Sequence, residues 1–156
     1  MNRYEALLSE SPVVVNDRAI LPPSYSGLYI EIGNSKAILI DKAVKVRNKK
    51  TCVLAEELGH YHTTYGNILD QSDIRNRKQE NRARNWAYEK LIPLQSLVEA
   101  SKEGLKNRYE LAEYLDVTEE FLGEALAQYR AKYGLFARWT SYVIYFDPLG
   151  VVELFD

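Results

Sequence analysis

The residues best equipped for chemistry lie together in Thr51-Cys-Val-Leu-Ala-Glu-Glu-Leu-Gly-His60, which is followed by Tyr61-His-Thr-Thr64. Glu56, Glu57 and His60 stand at i, i+1 and i+4. On a helix, side chains at i and i+4 project one above the other, and i+1 lies at the flank. This is the arrangement of the H-E-x-x-H pattern, in which two histidines hold a metal and the glutamate between them serves as a base. Glu57-Leu-Gly-His60 preserves the tail of that pattern, while Glu56 stands where the first histidine is expected. The chemistry such a set could perform is metal-assisted hydrolysis: a cation with an open position activates water and polarises a carbonyl, and Glu57 receives the proton.

The third ligand must come from another element. His60 and His62 are the only histidines and Cys52 the only cysteine, so a thiolate-rich site is excluded and the site must lean on carboxylates. Glu80, on the following helix, is the candidate. Glu56, His60 and Glu80 would form a harder, more anionic donor set than two imidazoles provide. Zn²⁺ is the expected ion, with Mn²⁺ or Fe²⁺ more plausible than in a histidine site. Two carboxylates also neutralise the dication, which lowers its Lewis acidity and raises the pKa of its water.

A plainer account makes Glu56, Glu57 and His60 the solvated face of an amphipathic helix. Gly59 weighs against it, because a glycine inside a helix costs roughly 1 kcal/mol against alanine and implies a close approach by a neighbour. His62 lies roughly 200° round the helix from His60 and reads as a surface or packing residue. Cys52 reads as a small buried filler.

The elements that must position these groups follow from the patterning. Residues 2–9 suit a short helix with Tyr4, Leu7 and Leu8 on one face. Pro12 ends it, and Val13–Val15 is a short strand or connector. Gly27–Ile32 and Lys36–Asp41, joined by Gly33-Asn34-Ser35, form a hairpin. The motif helix runs from Lys49 to Thr63, with Leu54, Leu58 and Tyr61 as its apolar stripe and Gly66 beyond its end. After a polar linker, Asn67–Ser72, a charged helix extends from Arg75 to Leu91, where Pro93 stops it. Glu80, Ala83, Ala87 and Leu91 share one face of it; a carboxylate above two alanines suits a close helix–helix contact around a buried acid. Short helices over Leu94–Ser101, 108–116 and 118–133 follow, the last with Thr118 as N-cap. Strands over Tyr142–Phe146 and Val151–Phe155 end the chain. The expected class is α+β, a mostly helical body beside a small antiparallel sheet, in a single domain over 1–156. Its parts would be 1–104, holding the sheet and motif helices, and 105–156, holding a helical pair and a hairpin.

Bulk properties exclude several function classes. The 156 residues are 46% hydrophobic and 27% charged, as in ordinary globular chains, and the formal net charge of −2 gives no footprint for general nucleic-acid binding. The first ten residues carry no apolar signal core, and no stretch approaches a membrane span, so a cytoplasmic protein without membrane contact is expected.

Two motifs in order resemble those of the ImmA/IrrE family of phage-related metallo-endopeptidases. Leu54-Ala-Glu-Glu-Leu-Gly-His-Tyr61 is similar to the family's H-E-L-G-H helix. Glu80-Asn-Arg-Ala-Arg-Asn-Trp-Ala87 with Leu91-Ile-Pro93 is similar to its second motif, E-x-x-A-x-x-[FW]-A…L-x-P. The resemblance spans about residues 25 to 135. It implies a zincin-like fold, Glu57 as the catalytic residue, and His60 and Glu80 as zinc ligands, with Glu56 at the first ligand position, where this chain departs from the family. It further implies a protease of a temperate phage or mobile element in a bacterial host, whose partner and substrate is a lysogeny repressor. Because Glu56 bears on metal identity and turnover, a member that binds a repressor without cutting it is the alternative.

A DNA-binding reading competes. Glu110–Gln128 has the cadence of a helix-turn-helix, with Val117-Thr118 at the turn. Six acidic residues and no basic one in that stretch argue against it, since a recognition helix meets phosphates with Lys or Arg. Arg75, Arg77, Lys78, Arg82 and Arg84 read as a solvated helix face.

Overall fold

The computed structural model describes residues 1–63, 74–105 and 107–155, with the backbone alone at 74–76. It divides into two compact units, Met1–Ala87 and Tyr88–Asp156.

In the first unit, α1 (Arg3–Ser9) is capped by Asn2, whose side chain accepts from the Glu5 N–H. Tyr4 and Leu7 are buried, while Leu8 faces solvent instead of sharing their face. Three strands follow: β1 (Val14–Ala19), β2 (Gly27–Ile32) and β3 (Ser35–Asp41). β2 and β3 form the expected antiparallel hairpin, closing at the Ile32–Ser35 pair through a two-residue turn with Gly33 at φ +61°. A left-handed first turn residue matches the strand twist and favours glycine. Of Val13–Val15, the last two open a true strand: β1 pairs parallel with β3, giving the order β1-β3-β2 and leaving β2 at an edge. Alternation along β3 sends Ile38 and Ile40 fully into the core.

The motif helix, α2 (Arg47–Thr63), is two residues longer at its start than the pattern implied. Its N-terminal half is tied down by Lys50 Nζ, 2.8 Å from Asp17 Oδ2, which also accepts from the Tyr4 hydroxyl at 3.0 Å. This cluster joins α1, β1 and α2. Lys50 and the hydrogen bonds at Asp17 hold that carboxyl below the usual carboxylate range. The expected apolar stripe is inside, with Leu54 fully buried and Leu58 nearly so, but burial continues round the helix through Thr51, Cys52, Val53, Ala55, Glu57, Gly59 and His60. The solvated-face account of Glu57 and His60 therefore fails.

The charged helix, α3 (Ile74–Leu91), supplies the cover. Ala83 and Ala87 are fully buried, and a Cβ placed on Gly59 would collide with the Ala83 carbonyl oxygen, with its carbonyl carbon 2.9 Å away. The backbones of α2 and α3 thus meet at Gly59 and Ala83, as the small residues implied. The exposed side of α3 carries Arg77, Lys78, Arg82 and Arg84. The helix end expected around Gly66 and the polar linker Asn67–Ser72 lie outside the described residues.

In the second unit, α4 (Leu94–Lys102) begins after Pro93, α5 (Arg108–Leu115) ends at Asp116 in the left-handed region, and α6 (Glu119–Tyr133) is capped by Thr118, which accepts from the Phe121 N–H. Phe121, Leu122 and Leu126 pack inward from α6, and the buried Tyr129 hydroxyl donates to the Ile92 carbonyl at 2.8 Å. A three-stranded antiparallel sheet closes the unit: β4 (Phe136–Trp139), β5 (Tyr142–Phe146) and β6 (Leu149–Glu153). β4 was not legible because Phe-Ala-Arg-Trp is too short for a period. β6 starts two residues early because the turn takes only Asp147-Pro148. Among the described residues, no helix is long and apolar enough to cross a membrane. The class is α+β, as expected.

The Gly59 contact makes a test in which propensity and packing disagree in sign. Gly59→Ala improves helix propensity by roughly 1 kcal/mol but inserts a methyl into the Ala83 backbone, and overpacking of this kind costs ~1–3 kcal/mol. The melting temperature is expected to fall. An unchanged or raised value would mean that α2 and α3 do not approach there.

Candidate functional site

The site residues reach their places through three elements of the first unit. α2 carries Glu56, Glu57 and His60; α3 carries Glu80; β2 lies against the Glu57 side of α2. Because Gly59 lets α3 in, the turn of α3 before Ala83 brings Glu80 over His60. His60 Nε2 and Glu80 Oε2 are 3.0 Å apart, within hydrogen-bonding reach, and both side chains are shielded, at 4% and 16% exposure. Glu80 Oε1 lies 3.6 Å from Arg84 Nε, one turn on along α3. Thus the two candidate ligands chosen from separate elements of the sequence meet.

Glu57 is buried at 8% exposure. Burial, and then the charges of Glu56 and Glu80, push its carboxyl from the ordinary 4.5 up to about 8; the Tyr29 backbone amide works the other way. A buried acid in the field of two further carboxylates holds its proton unless positive charge is brought near. Glu56 is half-buried, one turn before His60.

Whether these groups fit a divalent cation can be judged from the donors themselves. Two donors about 2.1 Å from a tetrahedral zinc would stand ~3.4 Å apart, close to the His60–Glu80 separation. The surplus of negative charge around Glu57 also suits a cation. The pair fits, but it is a pair: among the described residues no group of three or more His, Cys, Asp or Glu side chains is assembled that could hold a metal.

Two features escaped sequence reasoning. Gly27 of β2 packs against the Glu57 side chain, where a Cβ would lie 2.9 Å from Glu57 Oε2. A strand glycine flanking a turn-rich loop gave no hint of this partner. Beside the site runs a strip of rings from three elements: Tyr29 meets Tyr61 edge-on, Tyr61 meets His62 edge-on, and His62 stacks on Trp86 with centroids 4.7 Å apart. His62 is thus the packing residue expected, although its side chain is solvent-facing. Cys52 is the expected buried filler.

The raised Glu57 pKa sets a pH dependence for stability. With a folded value above the unfolded one, the contribution is full below the unfolded pKa of about 4.5 and is lost as pH rises through about 8. In chelator, the denaturation midpoint of the wild-type chain is therefore expected to decline between about pH 5 and about pH 9, and that of Glu57→Gln to decline less. Equal slopes would show that Glu57 ionises normally.

Comparison with curated proteins and with solved structures gives no match. Residues 10–127 match the family model Peptidase_M78, described as the IrrE N-terminal-like domain. That span holds the edge strand, the motif helix and the Glu80 helix, so the chain belongs to the Peptidase_M78 family of zincin-like metallopeptidases.

Proposed function

We propose that this protein is a metal-dependent endopeptidase of a temperate phage or mobile element, acting in the cytoplasm of a bacterial host to cleave a lysogeny repressor. The observation that carries the enzymatic part is the burial of Glu57 beside the converging His60 and Glu80 donors. The repressor substrate rests on the resemblance of both motifs to the ImmA/IrrE pattern.

His60 Nε2 and Glu80 Oε2 would hold the metal, with Glu56 as the further carboxylate available on the same face of α2. When bound, the cation supplies Lewis acidity to a water molecule and to the scissile carbonyl. Glu57 takes a proton from the attacking water and delivers it to the departing amine. Its carboxyl can do so near neutral pH only when the charges of Glu56 and Glu80 are offset, because those charges and burial otherwise keep it protonated. Arg84, paired with Glu80 Oε1, leaves Oε2 turned to His60 and so helps fix the donor's orientation.

A second reading, a family member that binds a repressor without proteolysis, is favoured by one observation: Glu56 stands where the H-E-x-x-H pattern has its first histidine. Metal content of freshly purified protein, measured by elemental mass spectrometry beside Glu56→His, separates the two. Near-stoichiometric metal in the natural chain supports the peptidase. An empty natural chain beside a zinc-loaded Glu56→His variant supports the binder.

Within the peptidase reading, Glu57→Gln should lower cleavage by about 10²- to 10⁴-fold, the usual contribution of a positioned base, while metal stays bound. Cleavage that persists at the wild-type rate would remove Glu57 from its role. Glu80→Ala should reduce metal occupancy at least as severely as His60→Ala, and undiminished occupancy would exclude Glu80 as a ligand.

A further inference from the structure

Gly27 is a glycine for reasons of space. It is not among the residues with positive φ, yet a Cβ there would lie 2.6 Å from Val53 Cγ1, 2.9 Å from Glu57 Oε2 and 3.0 Å from Glu57 Cγ. Carbon atoms in contact prefer about 3.5–4.0 Å, so no side chain can occupy this position while Glu57 keeps its place. Two residues on, the Tyr29 backbone amide faces the same carboxyl and favours its charged form.

The strand pairing shows why that amide is available. Tyr29 lies opposite Ile38, between the Leu28–Leu39 and Ile30–Ala37 pairs. In an antiparallel ladder, successive residues turn their backbone groups alternately toward the partner and away from it. With the Tyr29 amide turned to Glu57, Leu28 and Ile30 direct theirs to β3. β2 is a sheet edge, so among the described residues the outward amide faces no further strand, and the carboxyl of α2 lies on that side.

We propose that the edge strand β2 is the seat of the Glu57 carboxyl, with Gly27 and Tyr29 as positioning residues: Gly27 makes room by lacking a Cβ, and the Tyr29 amide fixes the oxygen it meets. The site then depends on β2 as much as on the two motif helices. Neither position belongs to the donor set, so the seat is indifferent to whether residue 56 is glutamate or histidine. Its catalytic consequence rests on the peptidase reading; its geometry does not.

Amide hydrogen exchange read by NMR on the full chain tests the seat directly. The Tyr29 amide should be protected in the natural protein and remain so in Glu57→Gln, which keeps an acceptor oxygen. In Glu57→Ala its exchange should accelerate by at least about tenfold, as expected for the loss of a hydrogen bond that alone closes it, while Leu28 and Ile30 change by less than about twofold. Gly27→Ala combined with Val53→Ala relieves the Val53 clash and leaves the one with Glu57. Its melting temperature should match that of Val53→Ala alone, yet its Tyr29 amide should lose protection. In a cleavage assay the same double variant should show kcat lowered by about 10- to 100-fold with KM within about twofold, the pattern of a misplaced catalytic group. A Tyr29 amide that exchanges as fast in the natural protein as in Glu57→Ala overturns the proposal, as does a folded double variant that keeps both its protection and its kcat. A chain that cleaves nothing overturns the peptidase reading alone, since the exchange measurements then decide the seat on their own.

Discussion

Everything at the site depends on how closely two helix backbones can come. α2 and α3 touch where Gly59 faces Ala83, and the collision that any Cβ at 59 would make with the Ala83 carbonyl measures how little room is left. One turn before Ala83 along α3 stands Glu80, and one residue after Gly59 along α2 stands His60. The close backbone approach brings their donor atoms to 3.0 Å, within hydrogen-bonding reach. Helices separated by ordinary side chains run 8–10 Å apart axis to axis; here the glycine and the alanines remove that spacing.

That close approach also creates the electrostatic problem the site embodies. Glu57, Glu80 and His60 stand where water is scarce, with Glu56 one turn before His60, and Arg84 contributes a countercharge to Glu80 from the helix surface. Burial first, and then the charges of neighbouring carboxylates, raise the pKa of a carboxyl, and Glu57, the most deeply placed of the three, carries that shift. In most such patterns a neutral histidine occupies the position of Glu56, so this chain holds one more negative charge around the same centre. A cation would meet a more neutralising, less acidifying environment, and the base beside it would feel a stronger pull to keep its proton.

Much of this was legible in the residues. Gly59 announced a close approach because mid-helix glycine is unfavourable without one, and Glu80-x-x-Ala83-x-x-x-Ala87 announced which surface would make it. The hairpin was legible in Gly33-Asn34 between β-rich runs, Thr118 marked a helix start, and Pro93 marked a helix end. What could not be read was anything decided by contact between distant segments. The parallel pairing of β1 with β3 leaves no local trace. Gly27 looks like loop punctuation until Val53 and Glu57 are seen filling its space. The broad burial of α2 between Thr51 and His60 was hidden by its polar content, since Thr51, Glu57 and His60 weaken an apolar pattern although each is inside. β4 is too short to display a period.

The two-residue turn at Gly33-Asn34 has a consequence for the order in which the first unit is built. Loop closure grows costlier with the length of chain to be closed. β2 and β3 meet across the shortest possible connection, whereas β1 can pair with β3 only after a loop that spans the whole of β2 has been closed. The hairpin is thus the natural early element, and β1 a later addition on its far side. Gly27 and Tyr29 both lie on the hairpin. Fraying of the sheet from its β1 side would therefore spare them, and the unit can breathe at one edge while the chemistry keeps its footing at the other.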